Sequence, residues 1–221
     1  MLPRSTALVL TIAALACLTP ARIIVDGNKV EPTGPFADAG ASDPLKKALE
    51  PAGSRVSLAD GAYCDIWLRA GIASGKTDAQ GAVYTSLGES VLIGVIVFAR
   101  PTTDFRGQPL KPGAYTLRYG LHPTDGNHMG ISPIRDFLVL VPVATDQNPD
   151  AQFKFEELMK MSTKASGTNH PAVLSLASAD KATAPKVAPN DHGQLVFSSK
   201  LKTQSGSEIP IAFIIKGIAE Q

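Results

Sequence analysis

The sequence predicts a mainly β protein, an antiparallel β-sandwich of jelly-roll or immunoglobulin-like type with one or two short peripheral helices. Short apolar segments with a period of two recur along the chain, as expected for half-buried strands. Turn-forming residues separate them, since 19 glycines and 17 prolines occur among the 221 residues. Helical spacing is confined to two segments, so the strands must supply most of the core.

Composition excludes several classes of protein. A hydrophobic fraction of 44% with a formal net charge of +1 is incompatible with a disordered chain. The 21 basic and 20 acidic residues nearly balance, so the chain lacks the cationic excess that binds nucleic-acid phosphates. We therefore expect a globular protein without a nucleic-acid partner.

The first 21 residues have the pattern of a secretory signal peptide. A basic start ending at Arg4 precedes an apolar run over 5–18, and the small residues Thr19 and Ala21 follow. The run is shorter than the ~20 residues that a membrane-spanning helix needs. We expect cleavage after Ala21, an exported mature chain in the periplasm or outside the cell, and no transmembrane span in it. Residues 22–221 would form a single domain with an N-terminal extension.

The two cysteines have separate fates under this prediction. Cys17 lies in the apolar run. The alternative to cleavage after Ala21 is that 14–17 form a lipobox. Cys17 would then be lipidated and would anchor the protein in the cell envelope. Either outcome leaves Cys64 without a disulfide partner. Cys64 alternates onto the same side as Ile66 and Leu68, which predicts a buried structural thiol.

The first half of the chain reads as hairpins, a connector and one helix. Asp26-Gly27 predicts a hairpin turn within 23–30, and the prolines and glycines between 32 and 40 predict a connector. A helix is expected over 42–51, with Asp43 as N-cap, Pro44 in the first turn and Pro51 ending it. Asp60-Gly61 predicts a second hairpin.

Apolar patterning predicts the later strands. The run 91–98 has the length and β-branched content of a strand buried on both faces, and 115–121 places four large side chains on one face. Further strands are expected at 137–143, 195–201 and 209–215, where Pro210 indicates an edge or a strand start.

Two segments depart from the strand pattern. Apolar residues at helical spacing predict a helix from Asn148 to about Lys164. The Ala-, Lys- and Pro-rich stretch 178–189 is expected to be an exposed loop.

Sequence motifs of enzymes are weak. Residues 70–77 fit a relaxed phosphate-loop pattern, but no apolar helical stripe follows them, as nucleotide binding would require. The sequence contains neither a Gly-x-Ser-x-Gly elbow nor a His-Glu-x-x-His zinc motif. We therefore expect no catalytic residues and no cofactor, and favour a binding protein over an enzyme.

Polar chemistry concentrates in one loop, 122–136, between two strong strands. Loops held by rigid strands often carry binding residues, so this loop is predicted to bind a small ligand, a glycan or a protein partner in the cell envelope. The predicted contact residues are His122, Asp125, Asn127, His128, Met129, Arg135 and Asp136.

Two alternatives stand beside that prediction. Imidazole and thioether ligands suit copper, so His122, His128 and Met129 could hold copper or another metal in the periplasm. Asp125-Gly126-Asn127 is also ordinary turn chemistry, and the loop would then be purely structural.

Several segments resemble exported bacterial β-sandwich proteins of unassigned function. They are 111–119 with Pro-Gly-Ala-Tyr-Thr-Leu, 125–130, 136–142 and 164–171. The resemblance implies a bacterial source and a sandwich fold. It implies no activity and no catalytic residues.

Overall fold

The structure, a computed structural model, describes residues 27–59, 61–73, 75, 81–123, 134–181 and 183–219. The predicted signal peptide and Cys17 lie outside these residues. Strands make up 44% and helices 10% of the chain, so the mainly β prediction is confirmed. Two helices occur in the described residues, α1 (Asp43–Lys47) and α2 (Phe155–Ser166).

Ten of the described strands form one antiparallel sheet. Its strands follow each other in the order β1, β2, β3, β4, β7, β8, β9, β12, β11 and β10. A separate two-stranded hairpin contains β5 (Thr102–Thr103) and β6 (Pro109–Leu110). The ten strands are β1 (Lys29–Thr33), β2 (Gly53–Leu58), β3 (Gly61–Leu68), β4 (Leu92–Phe98), β7 (Gly113–Leu121), β8 (Asp136–Pro142), β9 (Ala172–Ala177), β10 (Lys186–Pro189), β11 (Leu195–Lys202) and β12 (Glu208–Lys216).

This sheet is nearly closed into a barrel, because its two terminal strands, β1 and β10, contact each other. The expected antiparallel pairing is confirmed, whereas the two-sheet sandwich is not. A period of two in the sequence marks which side of a strand is buried. Because a sandwich and a barrel both bury one side of every strand, this pattern does not distinguish them.

The main core fills the inside of this curved sheet. Tyr115, Leu117, Tyr119 and Leu121 all belong to it, so the predicted one-sided alternation in β7 is confirmed. Cys64 is also a buried member of this core, and burial raises the pKa of its thiol. A thiol held in its neutral form is inert, in agreement with the predicted structural thiol.

The outer surface is covered on two sides, which explains the continuous apolar runs. Leu92 and Val95 of β4 face an outer cluster with Leu45 of α1, and Val139 of β8 packs against Leu158 of α2. The strand predicted at 91–98 is therefore buried on both faces, as expected.

The first helix was predicted in the right place, but it is shorter than expected and has a different N-cap. It ends at Lys47, with Ala48 as C-cap, and not at Pro51. Ser42, not Asp43, is the N-cap, and its hydroxyl accepts a hydrogen bond from the Leu45 backbone at 3.2 Å. Pro44 lies in the first turn as expected.

The second helix begins later than predicted, at Phe155 and not at Asn148. The preceding segment forms a turn at 149–150 and not a helix, and its carbonyl groups bind Arg118, which is fully buried. The Arg118 guanidinium donates to the carbonyls of Asn148 at 2.7 Å and Ala151 at 2.8 Å, and it forms a bidentate pair with Asp146.

The prediction of an exposed loop over 178–189 is wrong at its end, where β10 pairs with β11. This edge strand is mostly exposed, so it carries no alternation that could have revealed it. The predicted connector likewise begins too early, because Pro32 lies within β1. Among the described residues, no helix combines the length and apolar character needed to cross a membrane.

Candidate functional site

The predicted ligand-binding loop is described at its two ends. His122 follows β7, and Arg135 and Asp136 lead into β8. Asp125, Asn127, His128 and Met129 lie outside the described residues, so their predicted contacts stay a prediction. The three described residues show how the barrel presents the loop.

Strand pairing separates two of these side chains, those of His122 and Asp136. Leu121 is paired with Asp136 in the antiparallel ladder, and Leu121 faces the main core. Because successive residues of a strand point to opposite faces, Asp136 also faces inward, while His122 and Phe137 lie on the outside. The loop therefore does not bring His122 and Asp136 to one point.

Asp136 is fully buried and is bound by other parts of the chain. Its carboxylate accepts hydrogen bonds from the backbone of Val83 at 2.9 Å and Tyr84 at 2.8 Å, and from the Tyr119 hydroxyl at 2.7 Å. These bonds attach the segment 81–91 to the end of the barrel. The geometry gives Asp136 a structural task within the candidate site.

Arg135 and His122 hold the base of the loop together. The Arg135 side chain donates to the His122 carbonyl from Nη2 at 2.6 Å and from Nε at 3.0 Å. The backbone of His122 donates in turn to the Arg135 carbonyl at 2.9 Å. Arg135 thus stabilises the start and the end of the loop as one unit.

The imidazole of His122 stacks on the ring of Phe137, with centroids 4.3 Å apart and planes inclined by 25°. This stack forms one wall of a small groove of about 40 Å³ on the outside of the barrel. The described residues that line the groove are Arg106, His122, Pro123, Phe137, Phe155, Met159, Pro171 and Val173.

The groove has an apolar floor and a cationic edge. Phe137 and Val173 are buried beneath it, and Phe155 and Met159 of α2 are half-exposed along its side. Arg106, in the turn between β5 and β6, is exposed, and it takes part in none of the ion pairs formed by described residues. An apolar wall beside one cation suits a ligand with an apolar body and a negative group.

Metal-binding geometry is absent from the described part of this site. No three His, Cys, Asp or Glu residues lie close enough together there to hold an ion. One of the three metal ligands predicted from sequence, His122, is described, while His128 and Met129 lie outside the described residues. The metal prediction therefore remains open.

Sequence reasoning did not find the residues that complete the groove. Arg106 and Met159 come from a hairpin and a helix that are distant from the loop along the chain. No local motif marks either residue, because the groove exists only once α2 packs on the outer face of β8.

Fold and site together define a mainly antiparallel β protein with a barrel-like sheet and a small groove beside the start of the loop 122–136. The chain matches no known protein family, and comparisons with curated proteins and with solved structures found no match.

Proposed function

We propose that this chain is an exported, non-enzymatic binding protein that holds a small amphipathic ligand at the loop 122–136 and the groove beneath it. The observation that carries the proposal is the groove, which continues directly from His122 and Pro123 at the start of the loop. Export is inferred from the signal-peptide pattern of the first 21 residues and from the resemblance to exported bacterial proteins.

The dimensions of the groove limit what it takes. A volume of about 40 Å³ accommodates a few methyl or methylene groups and is too small for a whole sugar ring. We therefore favour a ligand with a short apolar chain over a glycan. The loop residues Asp125, Asn127, His128 and Met129 would contact the remainder of that ligand.

Charge favours a carboxylate on this ligand. A guanidinium binds a carboxylate through two parallel hydrogen bonds, and Arg106 stands at the edge of the groove. Asp104 is two residues away, but its carboxylate is occupied by the hydrogen bonds of its own turn. The proposed ligand class is thus a short-chain fatty acid or a similar apolar carboxylate.

Methionine methyl groups provide the test. After cleavage at Ala21 the chain would keep three methionines: Met129 in the loop, Met159 in the groove, and Met161, which belongs to α2 and packs against the outer apolar cluster but does not line the groove. In a titration with hexanoate followed by methyl NMR, we expect saturable shifts of Met129 and Met159. Met161 is the internal control. Equal shifts of all three methyl groups, or none, would contradict the proposal.

A titration with hexanol, which has the same apolar chain but no charge, separates the apolar contribution to binding from the contribution of the carboxylate. Arg106→Gln should weaken hexanoate binding about fivefold, as expected for one partly exposed ion pair, and leave hexanol binding unchanged. A glucose oligomer that shifts Met129 and Met159 more strongly than hexanoate does would instead support a glycan ligand.

The N-terminus of the purified protein tests export. Secreted protein that begins at residue 22 would agree with cleavage after Ala21. A lipid-modified N-terminus that disappears in Cys17→Ser would show the lipoprotein alternative, and an intact Met1 in every fraction would contradict export.

A second candidate function, binding of a soft metal ion such as Cu(I), is favoured by one observation. Met159 lines the same groove as His122, so a thioether and an imidazole already share this surface with the loop that contains His128 and Met129. Arg106 at the groove edge opposes a cation, which places this function second. A Cu(I) titration that is unchanged in His128→Ala and in Met159→Leu would remove it.

A further inference from the structure

An opening in the wall of the barrel, between β2 and β11, belongs to none of the features described so far. β10 covers the edge of β11 only as far as Ser198, because Pro185, which has no N–H to donate, precedes β10. The edge is bound again at Lys202, whose carbonyl accepts a hydrogen bond from the Ile72 N–H at 2.8 Å. Between these two points lies a space of about 170 Å³, which reaches Ser54 of β2. We call this space the window.

The backbone of Lys200 faces the window with both of its polar groups. The turn after β11 begins with a hydrogen bond from the Thr203 N–H to the Ser207 carbonyl at 2.8 Å. Because hydrogen-bonded and non-hydrogen-bonded pairs alternate along an antiparallel ladder, Lys200 and Pro210 form a non-hydrogen-bonded pair. The N–H and C=O of Lys200 therefore point away from β12, and none of the described residues binds them on that side.

A buried hydroxyl also faces the window. Ser199 lines this space although it is only 3% exposed, and its side chain takes part in none of the hydrogen bonds formed by described residues. It lies on the inner face of β11, the face that Phe197 and Leu201 turn toward the main core. Buried hydroxyls in proteins normally have a hydrogen-bond partner, so Ser199 indicates a polar ligand group in the window.

The floor of the window is apolar and small. Ile66 and Leu68 of β3 lie there, and both are buried members of the main core. A space of about 170 Å³ holds one or two small side chains with the peptide units that carry them, and it is too small for a sugar chain.

The charges around the window cancel in pairs. The Lys202 ammonium lies 3.0 Å from the Glu50 carboxylate, and the Lys200 ammonium lies 2.6 Å from that of Glu208. Every charged group that lines the window thus has a partner of opposite sign among the described residues. The window therefore suits a neutral ligand, with polar groups for the strand edge and an apolar part for the floor.

From this arrangement we propose that the window binds a short extended peptide as an added strand. One residue of the peptide would exchange two backbone hydrogen bonds with Lys200, as in strand addition at an open sheet edge. The uncovered edge, 199–201, is about 10 Å long, so three peptide residues fit.

Alternation of side chains specifies the peptide further. The residue that pairs with Lys200 turns its side chain outward, and the next residue, opposite Ser199, turns its side chain inward. A threonine at this inward position brings a hydroxyl to Ser199 and a methyl group to the floor formed by Ile66 and Leu68. The proposed ligand class is thus an uncharged extended peptide with an inward threonine.

The test is a calorimetric and NMR titration of the full mature chain with the capped tripeptide acetyl-Ala-Ala-Thr-amide. We expect saturable binding that sodium chloride barely changes, because the probe carries no charge. Methylation of the middle amide nitrogen removes the donor to the Lys200 carbonyl and should weaken binding about tenfold. Valine in place of threonine keeps the shape without the hydroxyl and should weaken binding about fivefold.

Variants of the protein test the same two contacts from the other side. Lys200→Pro removes the N–H that faces the window, whereas Lys200→Ala removes the same side chain and keeps the N–H. The proline variant should bind the threonine probe about fivefold more weakly than the alanine variant. Should Lys200→Pro fail to fold, the methylated probe on wild type decides the same point.

The serine contact has a matched control on the same strand. In Ser199→Ala, the threonine and valine probes should bind equally. Ser198→Ala should keep the preference for threonine, since Ser198 lies on the outer face of β11 and does not line the window.

Four outcomes would overturn the proposal. They are no saturable binding of the threonine probe, unchanged affinity after methylation of its middle amide, a threonine preference that Ser199→Ala and Ser198→Ala affect equally, and self-association of the chain that Ser199→Leu abolishes. The last outcome would assign the window to a second copy of the chain. The window shares no lining residue with the carboxylate groove, so failure of one proposal leaves the other unaffected.

Discussion

Two fully buried aspartates each bind neutral donors, but the two carboxylates work differently. At the loop end, Asp136 belongs to a barrel strand and binds the segment 81–91, more than fifty residues away in sequence. Asp104 belongs to the β5–β6 turn, and it accepts hydrogen bonds from Arg106 and Gln108 of that same turn.

The difference lies in what each carboxylate connects. Asp104 reaches the barrel through one bond from a barrel strand, the 3.1 Å bond that the Val173 backbone donates. All three bonds to Asp136 that described residues donate come from groups fixed in the buried barrel end. A local carboxylate shapes its own turn, whereas a distant one joins two parts of the fold.

Asp136→Ala should therefore have the largest effect on stability. Removing the carboxylate leaves the Val83 and Tyr84 amides and the Tyr119 hydroxyl without an acceptor, and each such buried group costs about 1–3 kcal/mol. We expect the free energy of unfolding to fall by about 4 kcal/mol, against about 2 kcal/mol for Asp104→Ala, whose turn can reach water. Urea denaturation of both variants measures the difference.

The control for this prediction is a double-mutant cycle with Tyr119→Phe. Alone, the loss of this hydroxyl should cost about 1 kcal/mol, and in the Asp136→Ala background it should cost almost nothing. A larger effect of Asp104→Ala than of Asp136→Ala would contradict the comparison of the two carboxylates.

Tyrosine hydroxyls extend the same comparison with a smaller effect. Each end of the barrel has a buried tyrosine whose hydroxyl binds the backbone of β12. The Tyr84 hydroxyl donates to the Ala177 carbonyl at 2.6 Å and accepts from the Ala212 amide at 3.0 Å, while Tyr63 binds the Ile215 carbonyl. Tyr84→Phe would leave the buried Ala212 amide without its acceptor. Tyr63→Phe frees a carbonyl beside an open cleft, where water can replace the hydroxyl.

We expect Tyr84→Phe to lower the unfolding free energy by about 1.5 kcal/mol and Tyr63→Phe by less than about 0.5 kcal/mol. Thermal unfolding would show this as a midpoint lowered by about 3–6 °C for the first variant and hardly at all for the second. Equal losses would indicate that the cleft excludes water.

How far the sequence predicts this fold depends on whether the signal is local. The strands β4, β7 and β8 are evident from runs of apolar residues, because burial on one or both faces leaves a pattern within one strand. Closure of the sheet is not evident from the sequence, since the contact between β1 and β10 joins two segments whose apolar patterns are weak. The late start of α2 depends on Arg118, whose effect on Asn148 and Ala151 no pattern in 148–154 reveals.

The candidate site follows the same rule. The loop 122–136 stands out because its polar residues are adjacent in sequence. The sequence predicts Asp136 as a binding residue together with its neighbours in the loop. The backbone amides that donate to its carboxylate, those of Val83 and Tyr84, come from a distant segment. Arg106 joins the groove through the fold alone, and could be found only after α2 and the β5–β6 hairpin were placed.

The smallest predicted effect is a pH dependence that arises at Asp104. Burial raises the pKa of its carboxyl, and the hydrogen bonds from Gln108, Val173 and Arg106 offset this only in part. The folded state therefore binds a proton more tightly than the unfolded state, whose Asp pKa is about 3.9. The stability that this group contributes is present below pH ~3.9 and is lost as the pH rises through the higher pKa of Asp104 in the folded state.

Asp104→Asn isolates this contribution, since asparagine does not titrate. The stability of wild type relative to this variant should fall as the pH is raised from about 4, with a slope that cannot exceed about 1.4 kcal/mol per pH unit for one proton. Urea unfolding at half-unit steps between pH 3 and pH 7 provides the measurement. A relative stability that rises with pH over this window would mean that the hydrogen bonds of the turn outweigh burial, and that Asp104 stabilises the barrel as an anion.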